Sequence, residues 1–253
     1  MDTVRLGLAL AVLLVVLVAV GAVITRAAGL GPWRQPVTAS LRAIVQLAGI
    51  SLIIAVVLRS LVLTALFLLL MVVAATGTSA RRVTGSLRPG SWWTAVPIAV
   101  GAIPTVLIIA VSGAVPLAPV AVLPTAGILI GGAMTATSLA GRRVVDELDA
   151  HRGAYEAALS IGLSRREAVS LVARPAAATA LVTGLDQTRT VGLVTLPGAF
   201  VGVLLAGATP WQAGATQLLV LVALVVVQVV AVAVTIELFS AGLLPATDGP
   251  LPE

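Results

Sequence analysis

Residues 214–239 read GATQLLVLVALVVVQVVAVAVTIELF, a run of 26 residues whose one charged side chain is Glu237. A helix that crosses a bilayer needs about 20 mainly apolar residues to traverse roughly 30 Å of hydrocarbon. This run has that length to spare, so it reads as a membrane-crossing helix. Working outward from it, 191–208 is a further apolar core, separated from it only by the short polar connection around Thr209, Pro210, Trp211 and Gln212. Towards the N-terminus come 117–140, then 92–112 opening on the interfacial pair Trp92 and Trp93, then 61–76, 41–58 and 6–24. Seven crossings are expected, and the fold class is all-α: a polytopic membrane protein forming a single membrane domain over 1–253. The composition agrees, since 59% of the 253 residues are hydrophobic and 10% charged, with a mean hydropathy of +1.14 that a soluble domain of this size does not reach.

All 15 basic residues are arginine. A P-loop needs a lysine to reach the terminal phosphates of a nucleotide, so this chain is not itself a P-loop ATPase. There is no cysteine and a single histidine, His151. Disulfides, thiolate metal sites and paired-histidine sites are therefore excluded, no resident cofactor is expected, and any metal handled must meet oxygen ligands. A pI of 11.4 would suggest a nucleic-acid partner in a soluble protein. In a membrane protein it reports instead where the arginines sit, because cytoplasmic loops collect them; lipid, not nucleic acid, is the expected contact. The arginine-only basic set also matches GC-rich bacterial coding.

Arg26 and Arg34 fall in loop 25–40, and Arg81, Arg82 and Arg88 in loop 77–91, whereas the opposite side holds only Arg5 and Arg59. The stretch 142–174 carries six arginines and five acids and reads as extramembrane. This asymmetry puts the N-terminus outside and the C-terminus in the cytoplasm of a bacterial plasma membrane.

The cytoplasmic loop 142–175 has order of its own. Val144, Leu148, Tyr155, Leu159 and Leu163 recur at helical intervals and mark one face of a helix. Gly162 stops that helix, since glycine takes the left-handed conformation at a C-terminal cap. Ser164-Arg165-Arg166-Glu167 then reads as a capping box opening a second, short helix, which is expected to end before Pro175. Arg165 and Arg166 in a first turn oppose the helix dipole, so an outside partner or lipid phosphate is expected to meet them.

Glu156-Ala157-Ala158, Gly162 four residues on, and Val172 with Arg174-Pro175 resemble the EAA loop of ABC-transporter permeases, with arginine before the proline where leucine is usual. A second signature, Thr190-Val191-Gly192-Leu193-Val194-Thr195-Leu196-Pro197-Gly198, preceded by Asp186-Gln187-Thr188-Arg189, joins Gly131-Gly132-Ala133-Met134-Thr135-Ala136-Thr137 in the fifth span. Together they resemble the FetB-type iron-export permeases, a group related to plant aluminium-tolerance permeases. Arg189 stands where that family often has lysine, and Gly132 where asparagine is expected. The resemblance implies a permease that exports metal ions as two copies, with an ABC-type ATP-binding subunit seated on the cytoplasmic loop at Glu156, Ala157, Ala158, Gly162, Arg165 and Arg166. On this reading the chain is not an enzyme, and ATP is hydrolysed by the partner.

The residues themselves add candidates for the transport pathway. A carboxylate near the bilayer centre costs about 2.5–3.5 kcal/mol on insertion scales, which singles out Asp186; it either attracts a cation at the cytoplasmic mouth or pairs with Arg189 three residues on. Glu237 lies near a helix end, where it can reach water. Gln46, Gln187, Thr135 and Thr137 supply further oxygens, with helix-to-helix hydrogen bonding as the plainer role. Residues 176–208 exceed one crossing, so a broken helix is expected, interrupted at Pro197 and Gly198. Gly127, Gly131, Gly198 and Gly202 have the spacing of close helix packing. The rival to an ATP-driven permease is an ion-gradient-driven secondary transporter with Asp186 and Glu237 as proton sites. The orientation is tested by single introduced cysteines: Ala150→Cys is shielded from an impermeant thiol reagent in intact cells, whereas Thr209→Cys is labelled. Labelling of Ala150→Cys from outside inverts the topology.

Overall fold

In hydrocarbon each backbone N–H and C=O has to be satisfied inside the protein, so long apolar runs become helices. The computed structural model describes residues 7–85, 87 and 90–245; Asp2, Arg5, Leu6 and Arg88 lie outside the described residues. The helices are α1 (Leu8–Ala27), α2 (Arg34–Val57), α3 (Leu61–Thr84), α4 (Ala95–Val111), α5 (Pro119–Ala150), α6 (Arg152–Ser160), α7 (Arg165–Ala178), α8 (Val182–Thr190), α9 (Gly198–Leu205) and α10 (Pro210–Ser240). Among the described residues seven helical stretches are long and apolar enough to cross a membrane, and the protein is an all-α multi-pass membrane protein.

The chain forms two compact units, residues 1–59 and 60–253. In the first, α1 and α2 pack on each other and leave an apolar groove of about 640 Å3 between them, lined by Leu14, Val18 and Ile44. Arg34 stacks over the Trp33 ring at 5.6 Å at the start of α2, a cation–π contact. Gln46 is exposed on α2.

In the second unit α5 and α10 form the central pair, flanked by α3, α4 and α7. Alanine makes this possible. Ala133, Ala136 and Ala140 on α5 and Ala231 on α10 are at most 1% exposed, and small side chains let helix backbones approach where no hydrophobic drive separates protein from lipid. Ser138 Oγ donates to Ser79 Oγ at 3.2 Å, joining α5 to α3. The glycines in closest contact are not those of the predicted spacing. Gly127 meets Met71, but Gly131, Gly198 and Gly202 have nothing near them. Instead Gly132 lies against the Leu224 side chain and Gly184 against the Gln228 amide.

Three expectations are corrected. Residues 191–208 are not a sixth crossing: they contain a turn and the eight-residue α9, while the long helical stretch is Arg165–Thr190. It was hidden by the reading of 142–174 as an extramembrane loop whose last helix stops before Pro175. The helix after Ser164 does not end at Pro175, which lies inside α7. A proline in a membrane helix is tolerated where neighbouring groups re-satisfy the freed carbonyl. Finally, the loop helix is not continuous: Val144 and Leu148 lie on α5, which ends at Ala150, and the chain kinks at His151 (φ −116°, ψ 35°) before α6. The predicted face survives this kink, because Val144, Leu148 and Tyr155 are all buried.

The Gly184–Gln228 contact has a direct test. A methyl group at 184 collides with the Gln228 amide, so Gly184→Ala is expected to cost about 1–3 kcal/mol by overpacking, read as a lower unfolding midpoint in detergent. Gly184→Ala combined with Gln228→Ala restores most of it, and failure to restore shows that the glycine serves something other than this contact.

Candidate functional site

The polar end of the second unit is built on a helical elbow. α6 ends at Ser160 and is closed two residues on by Gly162, whose φ of +91° is left-handed; the Gly162 amide donates to the Leu159 carbonyl at 3.0 Å and that of Leu163 to Ala158 at 3.1 Å, closing the cap. Two residues on, Ser164 opens α7 with a full capping box: its amide donates to Glu167 Oε2 at 2.8 Å, and the Glu167 amide donates back to Ser164 Oγ at 3.4 Å. The elbow is thereby fixed by local hydrogen bonds on both arms.

On α6 the two alanines of the motif part company. Ala158 is buried beside Tyr155, which is 1% exposed, whereas Glu156 and Ala157 face outward. Glu156 pairs with Arg152 at 3.2 Å on the same helix. Ile161, at the tip, is 79% exposed. The periodicity did not single it out, because it falls outside the buried face; an exposed isoleucine between two polar helices was the available signal.

Arg165 and Arg166 meet partners inside the chain. Arg166 Nη2 lies 2.7 Å from Glu237 Oε2, and Arg174 Nη2 lies 3.7 Å from Glu237 Oε1. Arg165 packs its guanidinium against Gly242, just past the end of α10. Glu237, expected to reach water, thus bridges two turns of α7 to α10. Sequence spacing could not reveal it, since the partners are more than sixty positions apart.

Farther along, α7 passes through a short 3-10 turn at Thr179–Leu181 into α8. Gly184 on α8 faces α10, while Asp186 and Arg189 face away, with side chains 58% and 71% exposed and 3.5 Å apart. After Thr190 the chain turns over 191–197: the Gly192 amide donates to the Thr195 carbonyl at 2.9 Å and the Val194 amide to Thr190 at 3.0 Å, so the break satisfies part of its own backbone. Pro197 precedes α9, and Gly198 is its first residue. A cavity of about 270 Å3 lies at this break, between Gln187, Thr195, Gly198 and the α10 residues Gln217 and Leu221. Thr135 and Thr137 are not on one path. Two positions apart on a helix they point to opposite sides; Thr135 is exposed and donates to Gly131 at 3.0 Å, while Thr137 is fully buried. Among the described residues no three acidic or histidine side chains gather as a metal site.

The profile of the uncharacterised protein family UPF0014 matches residues 7–243. The chain is 30% identical over 129 residues to the probable iron export permease protein FetB of Escherichia coli, covering 49% of this chain and 48% of that one. It is 29% identical to the UPF0014 membrane protein STAR2 of Oryza sativa over half of this chain and 45% of that protein, and 28% identical to the UPF0014 membrane protein YjkA of Bacillus subtilis over 75% of this chain and 76% of that one. The matched part thus spans about half the length of the first two of these relatives. No solved structure matches.

Ion pairing on the outer face of α8 is tested by charge removal. Asp186→Asn leaves Arg189 unpaired, which is costly away from water, and lowers the unfolding midpoint in lipid nanodiscs. Asp186→Asn with Arg189→Gln recovers it; a double variant as unstable as the single one shows that Asp186 does more than hold Arg189.

Proposed function

The chain belongs to the UPF0014 family, and on that premise we propose that it is the permease subunit of an ATP-driven exporter of metal ions, iron first, in a bacterial plasma membrane. The observation that carries this reading is the elbow of α6, Gly162 and α7. It is a rigid helix–turn–helix whose inner face is anchored by Tyr155 and Ala158 and whose outer face offers small and apolar groups, Ala157 and Ile161, to a partner. Such a surface suits insertion into a groove of a separate ABC-type ATP-binding subunit. The chain lacks the lysine of a P-loop, so hydrolysis belongs to that subunit. The name of the Escherichia coli relative supports metal as the cargo.

In this arrangement the elbow is cytoplasmic, the N-terminus lies outside and the C-terminus inside. Two copies of the permease assemble with the α8 faces inward. The exposed Asp186–Arg189 pair supports this, because it lies near the level of Gly184 and Gln228, far from either end of α10, where lipid is a poor neighbour for charge. A second copy covers the pair, and the space between the two α8 faces, with Gln187, forms the pathway. Proton-driven transport through Asp186 and Glu237 has less support, since both carboxylates are engaged by arginine.

Docking is tested at the outward residues. Ala157→Trp and Ile161→Glu leave the buried face intact, so both variants insert and purify as stably as the wild type yet lose at least about tenfold of the ATP-binding subunit that co-purifies from native membranes, a loss of about 1.4 kcal/mol or more. Retention at the wild-type ratio in both variants ends the docking reading.

A further inference from the structure

Residues 7–59 hold four arginines, Arg26, Arg34, Arg42 and Arg59, and no aspartate or glutamate. Two of them stand at one end of the groove between α1 and α2. Arg26, in the last turn of α1, is part of the groove wall, and so is Trp33, over which the Arg34 guanidinium stacks at 5.6 Å. For Arg26 the C-terminal end of α1 is a partial counter-charge. Arg34 has the reverse placement: it is the first residue of α2, at the positive end of the dipole, and no side chain caps that end. Among the described residues of this unit there is no carboxylate to neutralise either guanidinium. Their charge calls for an anion from outside.

The rest of the groove is apolar. Its residues on α1 recur every three or four positions from Arg26 back to Ala11, and those on α2 do so from Trp33 to Ile44, so it follows one face of each helix. The Ser40 hydroxyl in its wall is spent on the Pro36 carbonyl, to which it donates at 2.8 Å. Both walls are present from Trp33 to Ile44, a rise of about 16 Å at 1.5 Å per residue. That is about the depth of one leaflet, half of a hydrocarbon core of roughly 30 Å. A helix of a second copy would cross both leaflets, and the groove is two-walled for only one. An acyl chain that starts at headgroup level, beside a tryptophan and two arginines, ends within one leaflet.

We propose that the groove between α1 and α2 binds one anionic phospholipid, its acyl chain between Val18 and Ile44 and its phosphate at Arg26 and Arg34. This site goes beyond the transport reading and holds whatever cargo the permease carries.

The test is native mass spectrometry of the purified chain, stripped of lipid in detergent and titrated with dioleoyl phosphatidylglycerol or dioleoyl phosphatidylcholine. The wild type is expected to hold one phosphatidylglycerol per chain, about tenfold tighter than phosphatidylcholine, as two arginines beside an anionic headgroup warrant. Arg26→Gln with Arg34→Gln removes that preference and, both side chains being exposed, leaves the packing alone. Val18→Trp and Ile44→Trp fill the groove from opposite walls and keep the arginines; each weakens phosphatidylglycerol binding at least about tenfold as apolar contact with the chain is lost. Ile44 is 55% exposed, so Ile44→Trp keeps the wild-type unfolding midpoint. Equal affinity of the wild type for the two lipids overturns the proposal. So does phosphatidylglycerol binding that survives both tryptophan variants, or its displacement by an equal concentration of glycerol phosphate, since either marks attraction of the headgroup alone. A wild type that binds neither lipid has the groove covered by protein, and the proposal falls; a smaller assembly mass in the tryptophan variants then identifies the cover as a second copy.

Discussion

A primary amide in the middle of an apolar helix has to be covered, and at Gln228 the cover is the backbone of a neighbouring helix. Gly184 on α8 leaves room that a single methyl group would fill, and Gly132 on α5 makes similar room for Leu224 one turn away. Because both gaps open on the same stretch of α10, they hold α5, α8 and α10 in one register. α7 and α8 carry too many charges to partition into lipid unaided, and this contact keeps their small face against protein. The polar face is left outward, where Asp186 and Arg189 neutralise each other.

The same economy governs the ends of the helices. Capping boxes at Ser164–Glu167 and Thr209–Gln212 begin α7 and α10, and the turn at 191–197 folds part of its own backbone into hydrogen bonds. Each satisfies donors that membrane surroundings would leave bare. The break between α8 and α9 is therefore a built turn, with a cavity on one side of it.

Much of this was legible in the residues. The apolar runs of α1 to α5 and α10 declared themselves by length, and Gly162 and Ser164-x-x-Glu167 marked the elbow by turn and cap chemistry. The sixth crossing was misplaced because the charged run ending at Arg174, and the helix stop expected at Pro175, assigned the first part of this stretch to an extramembrane loop, while 191–208 is the more apolar run. The break at His151 left no mark, since Val144, Leu148 and Tyr155 keep the buried side on either side of it. The role of Glu237 was invisible for another reason, its partners being distant in the chain, and Thr135 and Thr137 looked equivalent only until helical geometry turned them apart.

Glu237 holds α7 at two points, Arg166 and Arg174, eight positions or about 12 Å apart along the helix. Two arginines that converge on one carboxylate from either side resist sliding of α7 along α10. The pins are partly exposed, with 70% of the Arg166 side chain and 56% of that of Arg174 open to solvent, so salt screens them. The strength of this tie is accordingly set by ionic strength as well as by the sequence.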